Sequence, residues 1–132
     1  MKTTTLLVDD SRLRRTANHR SLMRAGYDVI DAEDGQRGLD LAQERLPNLI
    51  LLDMMLPKLS GPEVLRALKN DLRTSLIPII VLTSLSQKNK EMLEREGAED
   101  FLEKTEDLLN NDSAILLKVI HKAPLTATKQ PN

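Results

Sequence analysis

The chain has no cysteine, which excludes a disulfide framework and any thiolate metal site. Large aromatic rings are nearly absent, with Tyr27 and Phe101 the only two. There is no surplus of one charge sign: 19 Lys and Arg stand against 20 Asp and Glu, a net charge of -1. That balance argues against a nucleic-acid partner. One segment does gather arginines, namely Arg12, Arg14, Arg15, Arg20 and Arg24. No aromatic residue interleaves with them to stack on bases. They are therefore expected to form a solvated helix face, with a docking face for an acidic or helical partner as the functional alternative. No apolar run approaches membrane-spanning length. The N-terminus offers one Lys and three apolar residues before two aspartates, too little for a signal peptide. A cytoplasmic protein with no membrane partner is expected.

What the chain does have is regular alternation. Its 132 residues are the size of one domain, and a chain of that length buries roughly two thirds of its unfolded surface. Short apolar runs predict strands at Thr4–Val8, Asp28–Asp31, Leu49–Leu52, Ile77–Leu82 and Ala98–Leu102. Helices are predicted between them, over Ser11–Ala25, Asp34–Leu46, Pro62–Asp71 and Gln87–Glu96. Asp34 suits an N-cap and Pro62 a first helical turn. Gly26 and Gly97 suit helix C-termini, because glycine reaches positive φ cheaply. Strands alternating with helices favour an α/β fold with parallel pairing through right-handed crossovers. A last helix is expected from near Asp112 or Ser113 to about Lys122, with Leu116, Leu117 and Ile120 as its apolar stripe. The domain is thus 1–122. Residues 123–132 lack periodicity, carry two prolines and read as a flexible tail.

The chemistry-bearing residues fall at strand ends. Leu49-Ile50-Leu51-Leu52 reads as a strand buried on both faces, and Asp53 ends it. In open α/β sheets the carboxyl ends of the strands carry the site. Asp9-Asp10 follow the first strand, Thr83 the fourth, and Lys104 stands just past the fifth. Carboxylates, a hydroxyl and an ammonium at one sheet end make a site for a hard cation and an anion. Taken alone, Asp9 and Asp10 could equally cap the helix beginning near Ser11. His19 and His121 lie on predicted helices and are expected at the surface or an edge.

The pieces Val8-Asp9-Asp10-Ser11, Leu51-Leu52-Asp53-Met54-Met55-Leu56-Pro57 with Gly61, Ile77 to Ser84 and Gly97 to Lys104 resemble, in order and spacing, the receiver domain of bacterial two-component response regulators. The resemblance covers residues 4 to about 104. It implies a flavodoxin-like, doubly wound five-stranded parallel sheet, order 2-1-3-4-5, with helices on both faces. It also implies that Asp53 accepts a phosphoryl group as an aspartyl phosphate. Mg²⁺ would be held by Asp10, Asp53 and the Met55 carbonyl, with Asp9 acting directly or through water. Lys104 and Thr83 would take the remaining phosphoryl oxygens. Thr83 and Phe101 would form the switch, although Phe101 could equally be permanent core. The implied partners are a sensor histidine kinase or histidine phosphotransfer protein and a downstream protein target, the chain being a monomer or weak homodimer. The protein would catalyse only its own phosphorylation and dephosphorylation.

The chain departs from the family pattern after Lys104, where Thr105 replaces the usual proline. A cis bond before a non-proline costs roughly 2.5–4 kcal/mol, so a trans Lys104–Thr105 bond is expected. The stretch from Thr105 to Ser113 predicts a long loop after the fifth strand, and the segment between Thr83 and Gly97 looks one residue short. Both changes point to an atypical output partner or dimer mode. Two rival functions remain: a receiver-like interaction module acting without phosphorylation, and a phosphatase with an aspartyl-phosphate intermediate. Met55 opposes the second, since such enzymes usually place an acid/base Asp two residues after the nucleophile.

Overall fold

The computed structural model describes residues 3–83, 87–103, 117 and 120. In chain order the elements are β1 (Thr4–Val8), α1 (Arg12–Arg24), β2 (Asp28–Ala32), α2 (Gly35–Arg45), β3 (Leu49–Asp53), α3 (Gly61–Lys69), β4 (Ile79–Thr83), α4 (Gln87–Arg95) and β5 (Asp100–Glu103). The five strands form one parallel sheet in the order β2-β1-β3-β4-β5, as expected.

Alternation along the central strands divides the core into two layers. Leu6, Val8, Ile50, Leu52, Ile79 and Val81 join residues of α2 and α3, among them Leu41, Val64, Leu65 and Leu68. On the other face Leu7, Leu49, Leu51, Ile80 and Leu82 pack with Leu22 of α1 and with Ile120. Every residue of β3 and β4 is buried, which is why these strands read as unbroken apolar runs. Each fully buried Leu, Ile or Val contributes about 1.5–3 kcal/mol of transfer free energy. Leu117 and Ile120 are helical and join the second layer, in keeping with the expected last helix. The rest of that helix, Leu116 and His121 included, lies outside the described residues, as do Ser84, the loop after β5, the Lys104–Thr105 bond and the tail.

The helix ends follow local chemistry. Asp34 caps α2 by accepting from the Arg37 N–H at 2.7 Å. Ser60 and Glu63 form a reciprocal capping box at α3, with Pro62 in its first turn. Gly26 has φ +97° and Gly97 φ +108°. Each closes a Schellman turn: the Tyr27 N–H donates to the Leu22 carbonyl and the Ala98 N–H to the Leu93 carbonyl.

Boundaries shift by one or two residues, for identifiable reasons. The fourth strand begins at Ile79 rather than Ile77, because the Ile77 N–H is engaged by the Thr74 carbonyl and Pro78 has no N–H to donate. The fifth begins at Asp100 rather than Ala98, because Ala98 belongs to the α4 cap. Strands β2 and β3 each run one residue further than expected, to Ala32 and Asp53.

Candidate functional site

Strand register assembles the site. Val8 stands opposite Leu52 across the β1–β3 ladder, so the residues that follow, Asp9 and Asp53, emerge side by side. Leu82 stands opposite Asp53, which puts Thr83 one residue further along the neighbouring strand. Ligand oxygens of Asp9, Asp10 and Asp53 all lie within 4.8 Å of one another. Asp9 and Asp53 are fully buried and Asp10 is exposed. Thr83 is buried at the same sheet end. Its strand partner Glu103 brings the chain to the residue before Lys104, which itself lies outside the described residues.

Local turns hold the carboxylates. Asp9 Oδ1 accepts from the Ser11 N–H at 2.9 Å, and Asp53 Oδ1 accepts from the Met55 N–H at 3.0 Å. Ser11, not either aspartate, is the N-cap of α1, its hydroxyl accepting from the Arg14 N–H at 3.2 Å. Met55 itself is exposed. Behind Asp53, the Gly61 N–H donates to the Met54 carbonyl at 3.2 Å. A methyl group on Gly61 would lie 2.6 Å from the Asp53 carbonyl oxygen, so only glycine lets α3 approach the site this closely.

One expectation is corrected. The α1 arginines do not all belong to a solvated face: Arg12, Arg20 and Arg24 are exposed, but Arg14 and Arg15 are half-buried and turn toward the aspartates. Arg14 Nε donates to Asp9 Oδ2 at 2.6 Å, and Nη2 donates to Asp9 Oδ1 at 2.8 Å. The same Nη2 reaches Asp53 Oδ2 at 3.3 Å. Arg15 Nη1 donates to the Asp9 carbonyl oxygen at 2.8 Å. Burial pulls the Arg14 pKa down, but its hydrogen bond to Asp9 and the charges of Asp9, Asp53 and Asp10 outweigh that, and the net shift is upward. A signal was present in the sequence. Basic residues in the first turn of a helix oppose its dipole, and α1 opens with Arg12, Arg14 and Arg15 and has no acidic residue there. Something anionic had to face them.

His19 matches its expected place: it is partly exposed, with Nδ1 2.8 Å from Asp31 Oδ1. Phe101 is half-buried and packs against the first core layer.

Chemically, the cluster gathers three carboxylates, two of them fully buried, with the Arg14 guanidinium beside them. Buried carboxylates need counter-charge or hydrogen-bond donors, and Arg14 supplies both to Asp9 and Asp53. Three carboxylates that each offer an oxygen within 4.8 Å of the others fit a hard divalent cation. Among the described residues no helix is long and apolar enough to cross a membrane.

Comparison with known proteins agrees with this geometry. The family model described as "response regulator receiver domain" matches residues 5–115. Protein PilH of Pseudomonas aeruginosa is 36% identical over 115 residues, covering 84% of this chain and 95% of PilH. The chain spans less than half the length of some other curated relatives it matches. The chemotaxis protein CheY4 of Vibrio cholerae superposes with a TM-score of 0.83 at 30% identity, covering 94% of this chain and all of CheY4. The receiver domain of the sensor histidine kinase PA1611 from Pseudomonas aeruginosa, solved with a magnesium ion in its active-site cleft, superposes with a TM-score of 0.79 at 27% identity. The match covers 92% of this chain and 97% of that one.

Proposed function

This chain belongs to the response regulator receiver family, and on that premise we propose that Asp53 is the phosphoryl acceptor of a stand-alone, cytoplasmic response regulator. The observation that carries the reading is the meeting of the buried Asp53 carboxylate with those of Asp9 and Asp10 within 4.8 Å at the carboxyl end of the sheet. The donor is a phosphohistidine of a sensor kinase or phosphotransfer protein. An Asp53 oxygen attacks phosphorus, the bond from phosphorus to the imidazole nitrogen breaks, and that nitrogen keeps the electron pair. Mg²⁺ held by Asp9, Asp10, Asp53 and the Met55 carbonyl would neutralise charge on the carboxylates and on one phosphoryl oxygen. The Thr83 hydroxyl and the Lys104 ammonium serve the other oxygens.

Two features support a switch at Thr83 and Phe101. Thr83 ends β4 beside the cluster, and Phe101 stands on the adjacent strand opposite Val81, only half-buried. A half-buried residue can change its packing at smaller cost than a fully buried one. Phosphorylation would thereby bias a two-state surface and alter affinity for a downstream protein target. The chain turns over no outside substrate in this reading and acts as a monomer or weak homodimer.

The test is incubation of the full chain with Mg²⁺ and a small phosphodonor, read by intact mass. The wild type gains one phosphoryl mass, and the gain disappears in Asp53→Asn and on chelation of the metal. A wild-type chain that stays unmodified, or an Asp53→Asn variant modified to the same extent, overturns the reading. The first result would favour an interaction module that acts without phosphorylation.

A further inference from the structure

Hydrogen bonds already engage every carboxylate oxygen of Asp9 and Asp53, two of the residues a metal would use. Asp9 Oδ2 accepts from Arg14 Nε, and Asp9 Oδ1 accepts from the Ser11 N–H and from Arg14 Nη2. Asp53 Oδ1 accepts from the Met55 N–H, and Asp53 Oδ2 accepts from Arg14 Nη2. Each carboxylate oxygen of the two buried aspartates therefore receives a donated hydrogen. Three of those hydrogen bonds, touching three of the four oxygens, come from one guanidinium. That group spans Asp9 and Asp53 much as a bound cation would, and it carries a positive charge of its own.

We propose that Arg14 is a built-in counter-cation that must withdraw from Asp9 and Asp53 before a divalent cation can load. The inference rests on the metal-binding reading of the same cluster. Two positive charges cannot share these oxygens at ordinary contact distance without strong repulsion. Withdrawal is physically open to Arg14. Its side chain is 17% exposed while both buried aspartates are at 0%, so Arg14 has a route to solvent that the carboxylates lack. Its backbone can stay in place meanwhile, held by the Ser11 cap. The neighbouring Arg15 engages the cluster differently, donating to the Asp9 carbonyl oxygen.

Arg14 therefore does two jobs in sequence. Without metal it offsets part of the repulsion between the buried carboxylates of Asp9 and Asp53. With metal it is displaced toward solvent, and the cost of breaking its bidentate contact subtracts from the apparent metal affinity. Metal loading, and with it readiness for phosphorylation, is thereby set to a higher free-cation concentration than the carboxylates alone would require.

The test is Mn²⁺ binding to the full chain, followed by the paramagnetic resonance signal of free Mn²⁺ with no phosphodonor present. Arg14→Gln, which keeps a polar side chain but removes the charge, is expected to bind Mn²⁺ at least tenfold more tightly than the wild type. Arg14→Lys, which keeps the charge but loses the planar fork, is expected to lie between the two. Equal or weaker binding by Arg14→Gln overturns the proposal while leaving the metal site standing. Failure of wild type and variants alike to bind Mn²⁺ overturns the site and the proposal together. A second measurement needs no variant. In the wild type, the Arg14 Nε–H resonance, protected by its bond to Asp9, should lose that protection as Mg²⁺ is added. Persistence of the protection at saturating Mg²⁺ refutes displacement.

Discussion

Gly61 offers the sharpest test of how the β3–α3 junction holds the site. It is the first residue of α3, a position where alanine would ordinarily gain about 0.5–1 kcal/mol over glycine. Here the gain is opposed. An added Cβ would fall 2.4 Å from the Met54 Cα and 2.6 Å from the Asp53 carbonyl oxygen, where ordinary contact begins near 3.4 Å. Both atoms are backbone, so no side-chain rotation relieves the overlap, and the Asp53–Met54 segment must retreat by about 1 Å to restore van der Waals distance. Overpacking of this kind costs about 1–3 kcal/mol, so Gly61→Ala should lose roughly 1–2 kcal/mol net. With an m-value near 2 kcal/mol per molar urea, the midpoint should fall by about 0.5–1 M at unchanged m. Because the displaced backbone carries Asp53, the rate of phosphorylation by a small phosphodonor should fall by about tenfold to a hundredfold. The control is Gly26→Ala, which meets no atom within 4 Å but sits at φ +97°. It should cost about 1–2 kcal/mol through backbone strain alone and leave the phosphorylation rate untouched. A Gly61→Ala midpoint equal to or above wild type would refute the steric argument. A lowered midpoint with an unchanged rate would refute its link to Asp53.

Three further outcomes are expected. Leu65 is fully buried in the first core layer, and Leu65→Ala should cost about 2–5 kcal/mol in guanidinium unfolding. Among the described residues the buried Thr5 hydroxyl has no hydrogen-bond partner, so Thr5→Val, nearly equal in volume, should stabilise by about 1 kcal/mol in thermal melts. The hydrogen bonds with the Ser60 backbone and side chain in the capping box hold the Glu63 carboxyl below its ordinary pKa. A depressed carboxylate pKa stabilises the fold above the unfolded-state value, and the contribution fades as pH falls through the folded-state value. The stability difference between wild type and Glu63→Gln should therefore be present at neutral pH and close on acidification, as denaturant titrations across that range would show.

Much of the molecule is written locally. The apolar runs of β3 and β4, the Asp34 cap, the glycines at 26 and 97 and the alternation of strand and helix all follow from nearest-neighbour chemistry, because each depends on a residue's own backbone preference or on a period of two or four. The capping box at Ser60 and Glu63 is local too, carried by the run Ser-Gly-Pro-Glu. The pairing of sequence-distant residues is different. The register that sets Val8 against Leu52, and so Asp9 against Asp53, came into view only through resemblance to a family. Nothing local announces which strand lies beside which. Arg14 is the clearest case: five arginines on one segment look alike in sequence. What turns Arg14 inward is the helix's rotation about its axis, set by Leu22 docking in the second core layer, together with two buried carboxylates placed on different strands by the sheet. Charge and propensity travel with the chain, but the environment that gives a charge its partner exists only once distant strands have met.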